Sequence, residues 1–234
     1  MLEEVLSAGL DALGIPYTEE TLRKFRIYYD LLEIRNRQMN LTAISGEDAA
    51  ARLHMLDCAA VLTHCSFSGK RVLDVGSGAG FPGLVLKILC PDISLTLLDS
   101  TKKRVLFQQE VCDALSLPDV CCLHLRAEDA PHEMRESYDI VISRAVARLN
   151  LLSELCIPFV RTGGLFLSMK GPAAEEELSE AKHGLQLLGC DSPMLIHYSV
   201  PGLDADRALI SAEKNHKSPA QYPRHFSVIK RQPL

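Results

Sequence analysis

No two of the eight cysteines stand as C-x-x-C, and no histidine completes a zinc-ligand spacing, so no structural metal is expected. Cysteines of this kind read as small buried hydrophobes in a reducing compartment. No uncharged apolar run reaches the roughly 18 residues that a membrane span requires. The start, Met1-Leu2-Glu3-Glu4, is acidic where an export signal is basic. A cytoplasmic monomer without membrane attachment is the expectation. An excess of positive charge is also missing. The net charge of −5 excludes non-specific coating of nucleic acid, although a local basic face remains allowed. There is no internal repeat.

What is present is apolar and orderly. The 234 residues are 47% hydrophobic, enough for one large domain or an ordinary domain with an extension. Residues 1–65 carry no strand signal. Leu22, Phe25, Tyr29 and Leu32 form one helical stripe, with Thr18 as a helix start. Ser45 is expected to start another, because Glu47 and Asp48 then meet the positive end of the helix dipole. Residues 1–65 are therefore read as a helical cap and 66–234 as a second, Rossmann-like unit with a basic tail.

From Val72 the rhythm changes. Strands are expected near 72–75, 93–98, 120–125, 138–143, 165–169, 194–200 and 208–212, with helices over 81–90, up to about 115, 149–160 and 173–188. Alternation of this kind predicts an α/β fold with a parallel sheet covered on both faces. The last two strands are joined by Pro201-Gly202-Leu203-Asp204, too short for a crossover, so they pair antiparallel. A seven-stranded, mostly parallel sheet with an antiparallel end is the pattern of class I S-adenosylmethionine methyltransferases.

The strongest local signal is Gly76-Ser77-Gly78-Ala79-Gly80-Phe81-Pro82-Gly83, placed between a strand and a helix. Glycines allow the sharp turn and a close ligand, and the helix start offers unpaired N–H groups. Asp99, ending the second strand, can accept the hydroxyl hydrogens of a ribose. Asp74 lies two residues before Gly76, where a carboxylate would repel a pyrophosphate but suits the ammonium of S-adenosylmethionine. The pair favours that cofactor over a dinucleotide.

Two methylation chemistries lack their marks. After the fourth strand stands Ser143-Arg144-Ala145-Val146, not the Asn/Asp-Pro-Pro-aromatic run of amino-group methylation. Cys156-Ile157-Pro158 is not the cysteine nucleophile of pyrimidine carbon methylation. A ring nitrogen with a free lone pair, such as guanine N7, needs neither. A small-molecule methyltransferase on the same fold is the alternative; it would act without RNA.

Taken together, Asn40-Leu41-Thr42-Ala43-Ile44, His54, Asp57, Val72 to Gly83, Arg126-Ala127-Glu128, Ser143-Arg144-Ala145, Lys170-Gly171, Tyr222-Pro223-Arg224 and the terminal Pro233-Leu234 resemble the glucose-inhibited division protein B family. That family comprises bacterial 16S rRNA guanine-N7 methyltransferases acting at position 527 of the small-subunit RNA. The resemblance implies that Gly76, Gly78 and Phe81 line the methionine and ribose side of the cofactor. Asp99 would hold the ribose, the Ala127-Glu128 main chain would face the adenine, and Arg144 would sit at the catalytic end. Asn40, His54, Arg126, Lys170 and Arg207 would face RNA. Cys58 departs from the serine usual after the aspartate.

Two basic clusters are candidate phosphate contacts with 16S rRNA or the small ribosomal subunit: Arg23, Lys24, Arg26, Arg35 and Arg37, then Lys214, Lys217, Arg224, Lys230 and Arg231. Lys102-Lys103-Arg104 reads as a solvated helix start. Glu175-Glu176-Glu177 reads as an exposed helix face.

Overall fold

The computed structural model describes residues 1–144 and 146–234; Ala145 lies outside the described residues. Helix α1 (Leu2–Leu13) buries Leu2, Leu6 and Leu10 at spacings of four, and ends at Gly14 with φ 67°. Gly9 lets it approach its neighbour closely, because a Cβ there would lie 2.3 Å from Leu56. Helix α2 (Glu19–Met39) opens with a reciprocal Thr18/Thr21 capping box and stops at Asn40, which is left-handed with φ 51°. Its buried face is Phe25, Tyr28, Tyr29 and Leu32, while Leu22 is only half-buried.

Helix α3 covers residues 47–63, with a π-helical stretch over Ala51–Leu56. Gly46, at φ 88°, is its N-cap, and no side chain caps it. Ser45 is thus not the cap expected of it. Arg26 ties the three helices together: it donates to both Glu3 oxygens at 2.7 Å and to Glu47 at 2.8 Å.

The sheet contains β1 (Arg71–Val75), β2 (Ser94–Asp99), β3 (Val120–His124), β4 (Tyr138–Arg144), β5 (Val160–Lys170), β6 (Met194–Val200) and β7 (Leu203–Glu213). Their order is β3-β2-β1-β4-β5-β7-β6. All neighbours are parallel except β5–β7 and β6–β7. Helices α4 (Gly83–Leu89), α5 (Lys102–Ala114), α6 (Leu149–Cys156), α7 (Ala174–Leu187) and α8 (Phe226–Arg231) complete the chain.

Alternate residues of each central strand face opposite sides. Val72, Ile140 and Ile142 join Leu2, Phe25, Tyr28, Leu84 and Phe107 in one core. Leu73, Val75 and Val141 join Leu152, Leu185 and Ile229 in the other. The N-terminal helices therefore share a core with the sheet. Between β1 and β4 the chain order reverses, which opens a crevice at the strand ends where α/β folds bind ligands.

Three differences from the sequence pattern have identifiable causes. The helix expected to reach residue 160 ends at Cys156, because Pro158 sits in a 3₁₀ turn over Ile157–Phe159. β5 consequently starts at Val160. Lys214, counted among the phosphate contacts, is fully buried. Its Nζ donates to Glu136 at 3.0 Å and to the carbonyls of Ile157 and Val160 at 3.1 and 2.8 Å. A buried cation with these partners holds the fold and does not meet RNA. No helix among the described residues is long and apolar enough to cross a membrane.

Removing one partner of a buried pair leaves the other charge uncompensated. Lys214→Ala is expected to cost about 3–5 kcal/mol in urea unfolding. A loss of RNA affinity at unchanged stability would contradict this placement.

Candidate active site

β1 ends at Val75, and the chain then turns across the top of β2: the Gly76 N–H donates to the Leu98 carbonyl at 2.7 Å. Gly76, Gly78 and Gly80 have φ values of 72°, 59° and 97°, a region that side chains disfavour. A Cβ on Gly76 would come within 2.3 Å of Val146, and one on Gly80 within 2.8 Å of the Tyr28 hydroxyl. The turn is held from three sides. Gly78 N–H donates to Asp99 Oδ2 at 2.9 Å, and the Tyr28 hydroxyl donates to the Ala79 carbonyl at 2.5 Å. The fully buried Gln108 donates through Nε2 to Ser77 Oγ at 2.8 Å and to the Gly78 carbonyl at 2.7 Å.

Beside this turn lies a cavity of about 520 Å³. Asp99, Arg104, Leu125, Arg126, Ala127 and Glu128 line one end, and Leu41, Thr42, His54, Phe81, Arg144 and Val146 line the other. The structure thus gathers Gly76, Gly78, Phe81, Asp99, Ala127, Glu128, Arg126, His54 and Arg144 around one space. The acid Asp99 is itself anchored, since Oδ1 accepts the Thr101 amide at 2.8 Å.

Asp74 is placed differently from the sequence expectation. It is fully buried and does not line the cavity. Its Oδ2 accepts the Gly83 amide at 2.8 Å, so it anchors the far side of the glycine turn. Its Oδ1 has no partner among the described residues. Burial pushes this carboxyl up to about 7, against the pull of the Gly83 amide and Arg144.

Arg144, at the end of β4, is the hinge of the site. Its guanidinium donates to the Leu53 carbonyl at 3.0 Å and to His54 Nδ1 at 3.0 Å, and faces Asp57 at 3.5 Å. It lies over the Phe81 ring at 5.1 Å, and His54 stacks on the same ring at 4.4 Å. Arginine cannot accept a hydrogen bond, so His54 Nδ1 is the acceptor and Nε2 carries the proton. That proton goes to Thr42 Oγ1 at 2.8 Å. Burial, reinforced by the Arg144 charge, pushes His54 down to about 3, so it is neutral.

A second cavity, of about 560 Å³, shares His54, Arg144 and Val146 with the first. Lys170 and Arg207 line it. Lys170 pairs with Glu177 at 2.8 Å and donates to the Ala147 carbonyl at 2.6 Å. Arg207 donates to Asp57 Oδ1 at 3.0 Å, as the Tyr198 hydroxyl does at 3.1 Å. Asn40 is exposed and lines neither cavity. Arg224 is engaged elsewhere, through paired hydrogen bonds to the buried carboxylate of Glu154 at 2.9 and 2.6 Å.

Comparison with known proteins matches the chain to a family. Residues 21–208 match the family described as rRNA small subunit methyltransferase G (GidB). The chain is 41% identical to ribosomal RNA small subunit methyltransferase G of Lachnoclostridium phytofermentans, with 97% of this chain and 95% of that protein covered. It is 39% identical to the protein of the same name from Lactobacillus johnsonii, with both chains wholly covered. The chain belongs to this family. Among solved structures, a SAM-dependent methyltransferase from Aquifex aeolicus superposes with a TM-score of 0.50 at 20% identity, covering 68% of this chain and 90% of that one. M. jannaschii TYW2, solved in complex with AdoMet, gives 0.52 at 14% identity, covering 63% and 69%. These likenesses show the class I methyltransferase fold.

In this member of the family, Gln108, Thr42, Asp57 and Tyr198 shape the site although no role had been read for them. Thr42 and Asp57 lie inside the family string. Nothing local marks Gln108 or Tyr198, because their meaning comes from elements brought beside them by folding.

Two measurements check this geometry. Gln108→Leu removes two buried donors at similar volume and is expected to weaken S-adenosylmethionine binding about tenfold by calorimetry. Unchanged affinity would show that the turn does not need the latch. The second concerns pH. His54 folds neutral to about 3 but protonates near 6.5 when unfolded, so its contribution to stability is lost as pH falls from 6.5 toward 3. Asp74 acts oppositely, since its folded value of about 7 exceeds the ordinary 3.8 and acidification through that window adds stability. His54→Gln leaves only the Asp74 contribution. Its urea midpoint should rise relative to wild type as pH drops from 7 to 5; parallel midpoints would show that His54 titrates normally.

Proposed function

We propose that the chain transfers a methyl group from S-adenosylmethionine to N7 of a guanine in 16S rRNA of the small ribosomal subunit. The fit of the donor rests on the first cavity. Asp99 lines its nucleoside end beside Ala127 and Glu128, and the glycine turn passes alongside with no room for a Cβ on Gly76. Beneath the turn, the buried Asp74 carboxyl holds it in place through the Gly83 amide. When bound there, the cofactor supplies a methyl carbon carrying a sulfonium leaving group.

The observation that carries the choice of target is the wall shared by the two cavities. His54 Nδ1 is occupied by Arg144, and its Nε2 proton is committed to Thr42. Asp57 Oδ1 already accepts from Tyr198 and Arg207. Among the described residues, His54, Arg144 and Val146 line both cavities, and none of these three offers an open proton acceptor. Guanine N7 attacks with a free lone pair and releases no proton, so none is required. The residues act by positioning. Arg144 is held away from free rotation by Leu53, His54 and Asp57, and its charge sits where a phosphate, O6 or the cofactor carboxylate can meet it. Arg126, Arg37, Lys217, Lys230 and Arg231 are exposed and suit phosphate contacts.

The test is transfer from radiolabelled cofactor to ribosomal subunits of a strain lacking the family enzyme, followed by mapping of the modified base. Label in small-subunit RNA at a guanine N7 is expected. Transfer to small molecules alone would overturn the reading.

A further inference from the structure

The second cavity has one acidic group whose bonding capacity is not used up. Helix α7 was expected to expose Glu175, Glu176 and Glu177 together, yet Glu177 turns inward with only 13% of its side chain exposed. Its Oε2 accepts the Leu149 amide at 2.8 Å and forms an ion pair with the Lys170 ammonium at 2.8 Å. Its Oε1 has no hydrogen-bond partner among the described residues, and the side chain lines the second cavity. Lys170 offsets the charge and, itself fixed by the Ala147 carbonyl, holds the carboxylate in one place. The other acid of this cavity, Asp57, has its Oδ1 filled by Tyr198 and Arg207 and turns its Oδ2 to Arg144.

The surroundings suit a planar base. Ile44, Leu53, Val146 and Met169 supply apolar wall. Because Arg144 and Val146 line both cavities, the second space meets the first at the end remote from Asp99. With the ribose at Asp99, the reacting end of the donor falls at that junction.

We propose that Glu177 is the specificity-determining residue that selects guanine, by accepting hydrogen bonds from its N1–H and 2-amino edge. This rests on the guanine reading of the proposed function and deepens it. Adenine offers a lone pair at N1 and no 2-amino group, so a carboxylate would face a lone pair where guanine brings donors. N7 lies on the opposite edge of the purine, so a base held in this way keeps N7 unobstructed. The aligned N–H groups go to an oxygen that is otherwise unpaired in a mostly desolvated pocket, where such mismatches discriminate strongly.

The experiment pairs a protein change with a substrate change. Wild type and Glu177→Gln are assayed on small-subunit RNA carrying either guanosine or inosine at the methylated position; inosine keeps N7, O6 and N1–H but lacks the 2-amino group. Wild type should lose about tenfold in kcat/KM on inosine. Glu177→Gln should lose about tenfold on guanosine, bind S-adenosylmethionine as wild type does, and show no further loss on inosine. Equal wild-type rates on guanosine and inosine would overturn the proposal, and so would losses that multiply. If Glu177→Gln does not fold, the wild-type comparison still decides. Absence of transfer to guanosine RNA by wild type would instead defeat the functional reading beneath it.

Discussion

A buried guanidinium is the constraint on which the site depends. Arg144 lies at the end of the central strand β4, with 17% of its side chain exposed, where an unpaired cation would be strongly unfavourable. It is made tolerable by the Leu53 carbonyl, His54 Nδ1, Asp57 and the face of Phe81. These partners come from two places in the chain. The Leu53 carbonyl, His54 and Asp57 all come from α3, whose π-helical stretch includes Leu53 and His54 and ends next to Asp57. Phe81 belongs to the glycine turn. The N-terminal helices are therefore not a decoration of the sheet, because they complete its charge balance at the strand ends.

The same network divides the crevice into two cavities and sets their characters. On one side, the anchored Asp99 and the glycine turn line the first cavity. On the other, Lys170, Glu177, Arg207 and Asp57 are paired among themselves, which leaves a polar pocket of low net charge between apolar walls. Arg144 lines both and is held in place by Leu53, His54 and Asp57. Of the described residues that line both cavities, His54 has both ring nitrogens engaged and Arg144 can only donate.

Buried ionic groups recur away from the site and serve the fold. Lys214 satisfies carbonyls of the 3₁₀ turn at Ile157–Phe159 and of the start of β5. Arg224 neutralises Glu154 beneath the C-terminal segment. Arg26 joins three helices through Glu3 and Glu47. Charge on this molecule is consequently a poor guide to RNA contact until its partners are known.

Some features were written locally and could be read from the chain alone. The strand-glycine-helix order at 72–83, Asp99 at a strand end and the short Pro201-Gly202 connection specify an α/β sheet with a crevice at its strand ends and an antiparallel edge, because glycine conformation, strand alternation and loop length act over a few residues. The ordered string of short motifs led to the family. Other outcomes waited for tertiary structure. Lys214, Arg224 and Glu177 meet partners 28 to 78 positions away, and Asp74 meets the Gly83 amide only once the glycine turn has folded back over it. Sequence names the ionisable groups; burial and pairing, which arise only when distant segments pack, decide what each one does.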